Sequence, residues 1–255
     1  MRCDRKMNAQ TTRLVRNFGK FIGRKLIPTR FRARRFIDKA LDNVAIRKGG
    51  KRVWNKHTWN VAGGFWHKLQ YPRITRRIFE SLVVNVPMKP NNTIASIGSG
   101  LGLYEIYLAK HLVPKGRVRC FDVSSTMVQR ASAYAKRAGV KNVEFNEINS
   151  HKLPAEDNSA NLVMCINAFH YISAETGESK VANELARVAD KNNSDTRIFM
   201  GFFDGFREYE ERERIKQLFS ENGFMLDKKL VLREGDLLFG LGQLEEILIF
   251  KPIVK

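Results

Sequence analysis

Short apolar runs alternate with amphipathic segments along the second half of the chain. Glycine or polar residues bound each run, as in buried strands, and the segments between runs repeat apolar residues at helical spacing. The runs predict five strands, near 93–97, 117–122, 143–148, 161–166 and 196–203. The intervening segments predict helices near 103–111, 124–138 and 175–190. This alternation predicts an α/β fold built on a doubly wound parallel sheet.

The last fifty residues predict a different ending for the sheet. Residues 207–222 interleave acidic and basic side chains, which is typical of a helix with a solvated face. The segments 224–233 and 244–253 then read as two strands joined by a short connection. We therefore expect a C-terminal antiparallel strand pair at the edge of the sheet.

The first fifty residues predict a basic helical extension by the same criteria. Residues 11–27 carry an apolar stripe at helical spacing, made of Leu14, Phe18, Phe21, Ile22 and Leu26. Pro28 ends this helix, and Thr29 begins a second one whose stripe is Ala33, Ile37, Ala40, Leu41 and Val44. The break at 48–51 suggests three parts: the extension 1–50, a helical cap segment 51–90 and the main domain 91–255.

Charge is concentrated in the extension. The formal net charge is +19, and residues 1–60 hold eighteen Lys or Arg against three Asp or Glu, a net of +15. Four interpretations fit: contact with an anionic membrane surface, contact with RNA phosphates, a cleaved organellar targeting segment, or a solvated face whose stripe packs on the domain. The two Phe residues of the first stripe favour the membrane surface, which accepts apolar insertion.

The strongest chemical signal is a glycine-rich turn between the first two core elements. An apolar strand runs into Gly98, Gly100 and Gly102, and a second strand ends at Asp122. Glycines at a strand-to-helix turn allow a ligand to approach the backbone, and a carboxylate at the neighbouring strand tip suits the hydroxyls of a ribose. Leu103 stands where a dinucleotide motif has Gly or Ala, so the turn favours a different adenosine-containing cofactor.

These motifs resemble those of the class I S-adenosylmethionine-dependent methyltransferases, most closely the small-molecule branch that includes ubiquinone and menaquinone biosynthesis. The stretches that match are 97–102, 122–127 and 153–163, followed by 167–171 at the next strand tip. The resemblance covers residues 91 to about 203. It implies a Rossmann-like domain, S-adenosyl-L-methionine as the cofactor and no metal.

The resemblance also implies a set of cofactor-binding residues, with Asp122 on the ribose and Met127 near the adenine. The full set is Ser96, Gly98, Ser99, Gly100, Gly102, Asp122, Val123, Met127, Asn149, Ser150 and Asn167. Three positions depart from the family pattern, because Ser96, Asn149 and Asn161 stand where the family usually has acids. A neutral group binds a cationic cofactor less strongly than a carboxylate does, so these changes predict weaker binding.

The segment 53–80 is rich in aromatic residues, and the family has a helical lid over the cofactor there. His57 and Tyr71 are candidate pocket residues, but ordinary packing of the aromatic side chains on the sheet edge is the favoured interpretation of the segment. His170 is the candidate general base, because its free pKa lies near the working range. The alternative is a packed, hydrogen-bonded histidine in an apolar run.

The leading functional hypothesis is methyl transfer to a small or lipid-like acceptor. In one interpretation this reaction takes place at a membrane surface. The alternatives are an RNA- or ribosome-associated methyltransferase and a methyltransferase-fold binding module that has lost catalysis. No apolar run approaches the eighteen residues of a membrane span. The three cysteines lack metal-ligand spacing, and we interpret them as small apolar residues in a reducing compartment. This interpretation predicts a cytoplasmic protein, which in the leading hypothesis is peripheral to a membrane.

Overall fold

A computed structural model describes residues 8–23, 46–48, 51–53, 56–63, 72–148, 152–203, 209–234 and 243–253. Its helices are α1 Ala9–Gly23, α2 Lys56–Gly63, α3 Pro72–Asn85, α4 Leu103–His111, α5 Ser125–Ala138, α6 Phe169–Thr176, α7 Glu178–Val188 and α8 Tyr209–Glu221. Its strands are β1 Ile46–Lys48, β2 Lys51–Val53, β3 Thr93–Ile97, β4 Arg117–Asp122, β5 Val143–Glu147, β6 Leu162–Ile166, β7 Arg197–Phe203, β8 Phe224–Glu234 and β9 Gln243–Pro252.

Seven strands form one sheet in the order β5-β4-β3-β6-β7-β9-β8. Strands β3 to β7 run parallel, and β9 pairs antiparallel with both β7 and β8. The chain moves outward from β3 to β5 and then returns to place β6 beside β3. The carboxyl ends of β3 and β6 therefore border a topological switch point, where ligands bind in sheets of this kind. The predicted doubly wound sheet and its antiparallel ending are confirmed.

One predicted helix is divided in two. The sequence predicts a helix near 175–190, whereas α6 already begins at Phe169 and a separate α7 begins at Glu178. Gly177 lies between them with a φ of +91°, and its amide donates to the Ser173 carbonyl to close α6. A left-handed glycine at this position ends one helix and lets the next leave in a new direction.

Helix α1 packs on the domain through Phe18 of the predicted stripe and through Val15, which the stripe did not include. Val15 and Phe18 are fully buried, and the Phe18 ring stacks on Phe79 of α3 at 4.0 Å between centroids. The Tyr107 hydroxyl of α4 donates to the Leu14 carbonyl at 3.2 Å. The preference for a membrane surface rested on Phe18 and Phe21. Phe18 is buried in the core and Phe21 packs against it, which accounts for both rings within the domain, and contact of the extension with a membrane stays a prediction.

The rest of the extension is described only in part. The predicted second helix lies outside the described residues. The two chain segments on either side of the predicted break, β1 and β2, pair as a short antiparallel ladder. Among the helices of the described ranges, none is long and apolar enough to cross a bilayer.

Candidate functional site

The three glycines of the turn share a left-handed backbone conformation but differ in their surroundings. Gly98, Gly100 and Gly102 have φ angles of +66°, +55° and +66°, in the left-handed region. A Cβ on Gly98 would lie 2.2 Å from that of Ala168, and one on Gly102 would lie 2.4 Å from the Phe145 ring. A Cβ on Gly100 would meet no atom within 4 Å. Two glycines thus allow the turn to pack, and Gly100 borders open space where a ligand can approach the backbone.

Asp122 fastens this turn to the end of β4. Its Oδ2 accepts a hydrogen bond from the Gly100 amide at 2.8 Å, and its Oδ1 accepts one from the Ser124 amide at 2.9 Å. Burial raises the pKa of Asp122, while the backbone amides act in the opposite direction. An ionised carboxylate has about four acceptor positions, so these two bonds leave roughly two for other donors, such as the hydroxyls of a ribose.

The residues that follow Asp122 form the start of α5. The Ser124 hydroxyl caps the helix by accepting from the Met127 amide at 3.2 Å. The Met127 side chain is 2% exposed and belongs to the core between the sheet and the helices. Val123 lies between the acid and the cap, half-buried. The role of Met127 and Val123 beside an adenine stays a prediction.

Ser96 has a carboxyl group beside it, which the sequence analysis missed. The Ser96 hydroxyl donates to Oε1 of Glu105 at 2.6 Å, and both side chains are buried. Glu105 lies in the first turn of α4, directly after the glycine turn. Burial raises its pKa to about 7, the Ser96 hydrogen bond lowers it, and the charge of Asp122 raises it. Glu105 therefore places a carboxyl group beside Ser96, the position at which the sequence departs from the acid expected of the family.

Two buried polar atoms flank the turn without a hydrogen-bond partner among the described residues. They are Oε2 of Glu105 and the hydroxyl oxygen of Ser99. An unsatisfied buried polar atom costs about 1–3 kcal/mol, so such atoms mark strain, water or a ligand. Together with the open side of Gly100, they fit a polar cofactor that lies along the turn.

Asn167 and Asn161 occupy opposite ends of β6. Asn167 follows the carboxyl end with a φ of +57°, a conformation that Asn tolerates better than most residues, and its amide donates to the Gly201 carbonyl at 2.8 Å. Asn161 precedes the amino end, where its Oδ1 accepts from the Thr93 amide at 2.9 Å. Asn161 therefore ties β6 to β3 away from the site, and its lack of charge does not bear on the cofactor.

Helix α2 lies over the carboxyl edge of the sheet. Oδ1 of Asn60 accepts from the hydroxyls of Ser124 and Ser125, at 2.9 and 3.3 Å. Near one end of α2, Lys56 forms an ion pair with Glu147 at the end of β5. Trp59 contacts Tyr171 of α6, with ring centroids 5.2 Å apart and the planes nearly perpendicular. The helix thus reaches from β5 to α6 and covers the region between them.

His170 lies on α6 next to this cover, and it points toward α8. Its Nδ1 is 3.3 Å from Oε1 of Glu211, and its ring lies 5.2 Å from that of Phe202. The predicted site residues Asn149 and Ser150, like Tyr71, lie outside the described residues. His57 belongs to α2, but the structure does not describe its side chain.

Fold and site together define a class of protein. A parallel sheet with a glycine turn at its switch point, an aspartate at the next strand tip and a terminal antiparallel pair is the arrangement expected for the class I S-adenosylmethionine-dependent methyltransferases. Comparison with known proteins agrees: residues 94–192 match the family model described as a methyltransferase domain. Over residues 94–192 the chain therefore matches a methyltransferase domain, and the cofactor of this class of domain is S-adenosylmethionine.

Individual relatives are similar over part of their length. An uncharacterized methyltransferase, YcgJ of Bacillus subtilis, is 28% identical over 109 residues, which are 42% of this chain and 40% of the relative. Magnesium protoporphyrin IX methyltransferase from Synechocystis, solved with bound S-adenosylmethionine, superposes with a TM-score of 0.58 at 20% identity, covering 77% of this chain and 94% of its own. At this identity the likeness concerns the fold.

A second similar structure was solved as a complex with Mg²⁺, geranyl diphosphate and S-adenosyl-L-homocysteine. It is geranyl diphosphate C-methyltransferase from Streptomyces coelicolor, and it superposes with a TM-score of 0.56 at 12% identity. The match covers 71% of this chain and 80% of that one. Here too the likeness concerns the fold.

Gly100→Ala is expected to weaken binding of S-adenosylhomocysteine about tenfold, with a loss of fold stability no larger than that of a matched control. The new methyl group would enter the open space beside the turn, while the left-handed φ costs about 1–2 kcal/mol. Gly139→Ala is the matched control, because Gly139 has a φ of +67° and equally open surroundings at the far end of α5. Calorimetry and urea unfolding separate the two effects; equal binding losses in both variants would contradict the assignment.

Proposed function

We propose that this protein transfers a methyl group from S-adenosylmethionine to a small or lipid-like acceptor. The observation that carries the proposal is the pairing of an open glycine, Gly100, with the Asp122 carboxylate that anchors its amide. This pairing creates a backbone cradle with an adjoining acceptor for hydroxyl groups. The buried Ser96–Glu105 pair adds a carboxyl group at the same turn.

The residues of the turn would bind and orient the cofactor. Asp122 would hold the ribose hydroxyls, and the backbone of 98–102 would run along the cofactor. When bound, S-adenosylmethionine supplies an electrophilic methyl group on a sulfonium. The task of the protein is then to position the acceptor in line with that methyl group and to exclude water. Helix α2, held on the start of α5 by Asn60, provides the cover that this task requires.

The acceptor would lie beside the contact that Trp59 of α2 makes with Tyr171 of α6. Trp59 and Tyr171 offer aromatic surface there, and His170 follows directly on the same helix. A histidine whose Nδ1 faces a carboxylate, as His170 faces Glu211, is oriented to take a proton at Nε2. We propose that His170 is the general base for an acceptor that must lose a proton.

Two further observations bear on substrate and location. The similar structures include enzymes whose names specify magnesium protoporphyrin IX and geranyl diphosphate, which supports an acceptor of small-molecule or lipid-like type. Cys120 and Cys165 are buried free thiols, and burial raises the pKa of Cys165 to about 12. Such inert thiols suit the reducing cytoplasm, which we propose as the location.

Two assays on the full chain test the function. We expect calorimetry to show binding of S-adenosylhomocysteine, and a panel of phenol, amine, carboxylate and isoprenoid acceptors to yield at least one that converts S-adenosylmethionine to S-adenosylhomocysteine. Absence of cofactor binding would instead indicate a degenerate binding module.

His170→Ala is expected to slow turnover of the acceptor found by at least about a hundredfold, because general bases contribute 10²–10⁴. Affinity for S-adenosylhomocysteine should stay within about twofold, since His170 contacts Glu211 and Phe202 rather than the glycine turn. The turnover rate of the variant and its calorimetric affinity for S-adenosylhomocysteine are each compared with those of the original protein. Equal losses in both quantities would show a purely structural role.

A further inference from the structure

Three basic side chains form one outward line on α1. Arg13, Arg16 and Lys20 recur at spacings of three and four residues, so they share a face of the helix, and all three are exposed. The opposite face holds Val15 and Phe18 in the core. The helix is therefore fixed on the domain with its charges directed to solvent.

Helix α3 adds a fourth cation to this line. A Cβ on Gly19 would lie 3.3 Å from Cδ of Arg76, which shows that the Arg76 side chain crosses α1 where that helix has no side chain. Arg76 is exposed as well. We call Arg13, Arg16, Lys20 and Arg76 the basic face.

No carboxylate neutralises the basic face among the residues that the structure describes. Helix α1 contains no acidic residue at all. Elsewhere in the domain, arginines form ion pairs with carboxylates, namely Arg117, Arg119, Arg187, Arg197, Arg212 and Arg214. Like charges three and four residues apart on a helix repel each other, so an anionic partner would stabilise the basic face.

We propose that the basic face binds the phosphodiester backbone of RNA. The eight residues from Arg13 to Lys20 span about 10 Å of helix, a length over which one strand of a duplex advances by about three phosphates along its axis. The anionic membrane surface fits less well, because Phe18, the central apolar residue of α1, is buried against Phe79 and Tyr107. This surface is separate from the glycine turn, so it adds a partner to the proposed enzyme.

The test uses the full chain, a fluorescein-labelled single-stranded RNA of about twenty nucleotides and anisotropy at several NaCl concentrations without cofactor. The variant R13Q/R16Q/K20Q keeps the buried stripe and removes three charges. The matched control, K115Q/K141Q/K180Q, removes three exposed lysines from other parts of the surface.

We expect the α1 variant to bind RNA at least tenfold more weakly at 100 mM NaCl, with the control within about twofold of the original protein. Each lost phosphate contact lowers the slope of log K against log salt by about 0.7 for a single strand, so the slope should decrease by about 2. Equal losses in both variants, or no RNA binding by the original protein, would overturn the proposal. So would binding to phosphatidylglycerol vesicles, but not to RNA, that depends on the same three residues.

Unchanged circular dichroism and unchanged affinity for S-adenosylhomocysteine in both variants would show that the fold is intact. The RNA measurement does not involve the cofactor. A protein that fails to bind S-adenosylhomocysteine yet binds RNA through α1 would therefore contradict the proposed function and leave this inference standing.

Discussion

Replacing Asp122 with alanine is expected to reduce the affinity for S-adenosylhomocysteine about a hundredfold. The carboxylate is the acceptor proposed for the ribose, and it also holds the Gly100 and Ser124 amides in place. Hydrogen bonds to a charged group are worth about 1.5–3 kcal/mol each, and 1.4 kcal/mol corresponds to a tenfold change in affinity. Calorimetric titration of the purified chain measures the loss directly.

The conservative variant sharpens this experiment. Asp122→Asn keeps the size of the side chain, but its amide nitrogen would face either the Gly100 or the Ser124 amide, donor against donor. We therefore expect Asn to restore little of the affinity. Asp190→Ala serves as the control, because Asp190 also accepts a backbone amide, that of Asn192, but lies in the turn before β7. Undiminished binding of S-adenosylhomocysteine by the Asp122→Ala variant would contradict the proposal that Asp122 binds the ribose.

The parts of the fold that the sequence predicts well are those fixed by local pattern. The bounds of β3, β4 and α4 match the prediction, because each apolar run stops at a glycine or a polar residue that also ends the element. The break at Gly177 was missed. A single glycine inside a helical pattern is compatible with continuation, and only the packing of α6 and α7 decides that it adopts a positive φ.

The candidate site is predictable where it is contiguous in sequence. The glycine turn and Asp122 are found from spacing alone, whereas Glu105 and Asn60 are not. Glu105 reaches Ser96 only because α4 folds back over β3, and Asn60 reaches Ser124 across 64 residues of sequence. The signal available for Glu105 was a lone acid within the apolar first two turns of a helix, which predicts burial but no partner.

In the extension, hydrophobic periodicity predicts the helix but not what its apolar face contacts. The spacing of Leu14 and Phe18 predicts a helix with an apolar face, yet an apolar face fits a membrane as well as a protein core. The structure decides between them for α1, because Phe79 and Tyr107 complete an aromatic cluster around Phe18. The basic residues on the other face are then left as the feature that needs a partner.

The free energy of unfolding is expected to decrease as pH rises from about 5 to 8, with Glu105 as a main cause. Its pKa is about 7 in the folded protein and near its ordinary 4.5 when unfolded. Between these two pKa values the folded state binds more protons than the unfolded state. The contribution of Glu105 to the free energy of unfolding is therefore fully present below pH 4.5 and decreases until the pH passes 7. At about 1.36 kcal/mol per pKa unit, the decrease from this group amounts to about 3 kcal/mol.

Comparison with Glu105→Gln isolates this contribution. Glutamine keeps the shape and the acceptor for the Ser96 hydroxyl but does not titrate, so the variant should gain about 3 kcal/mol relative to the original protein between pH 5 and 8. Burial also raises the pKa of Asp122, and this contribution of the same sign is present in both proteins. Urea unfolding at four pH values measures the difference, and parallel pH profiles would contradict the prediction. Ser96→Ala removes the hydrogen bond that lowers the pKa of Glu105, so its stability should continue to fall at higher pH than that of the original protein.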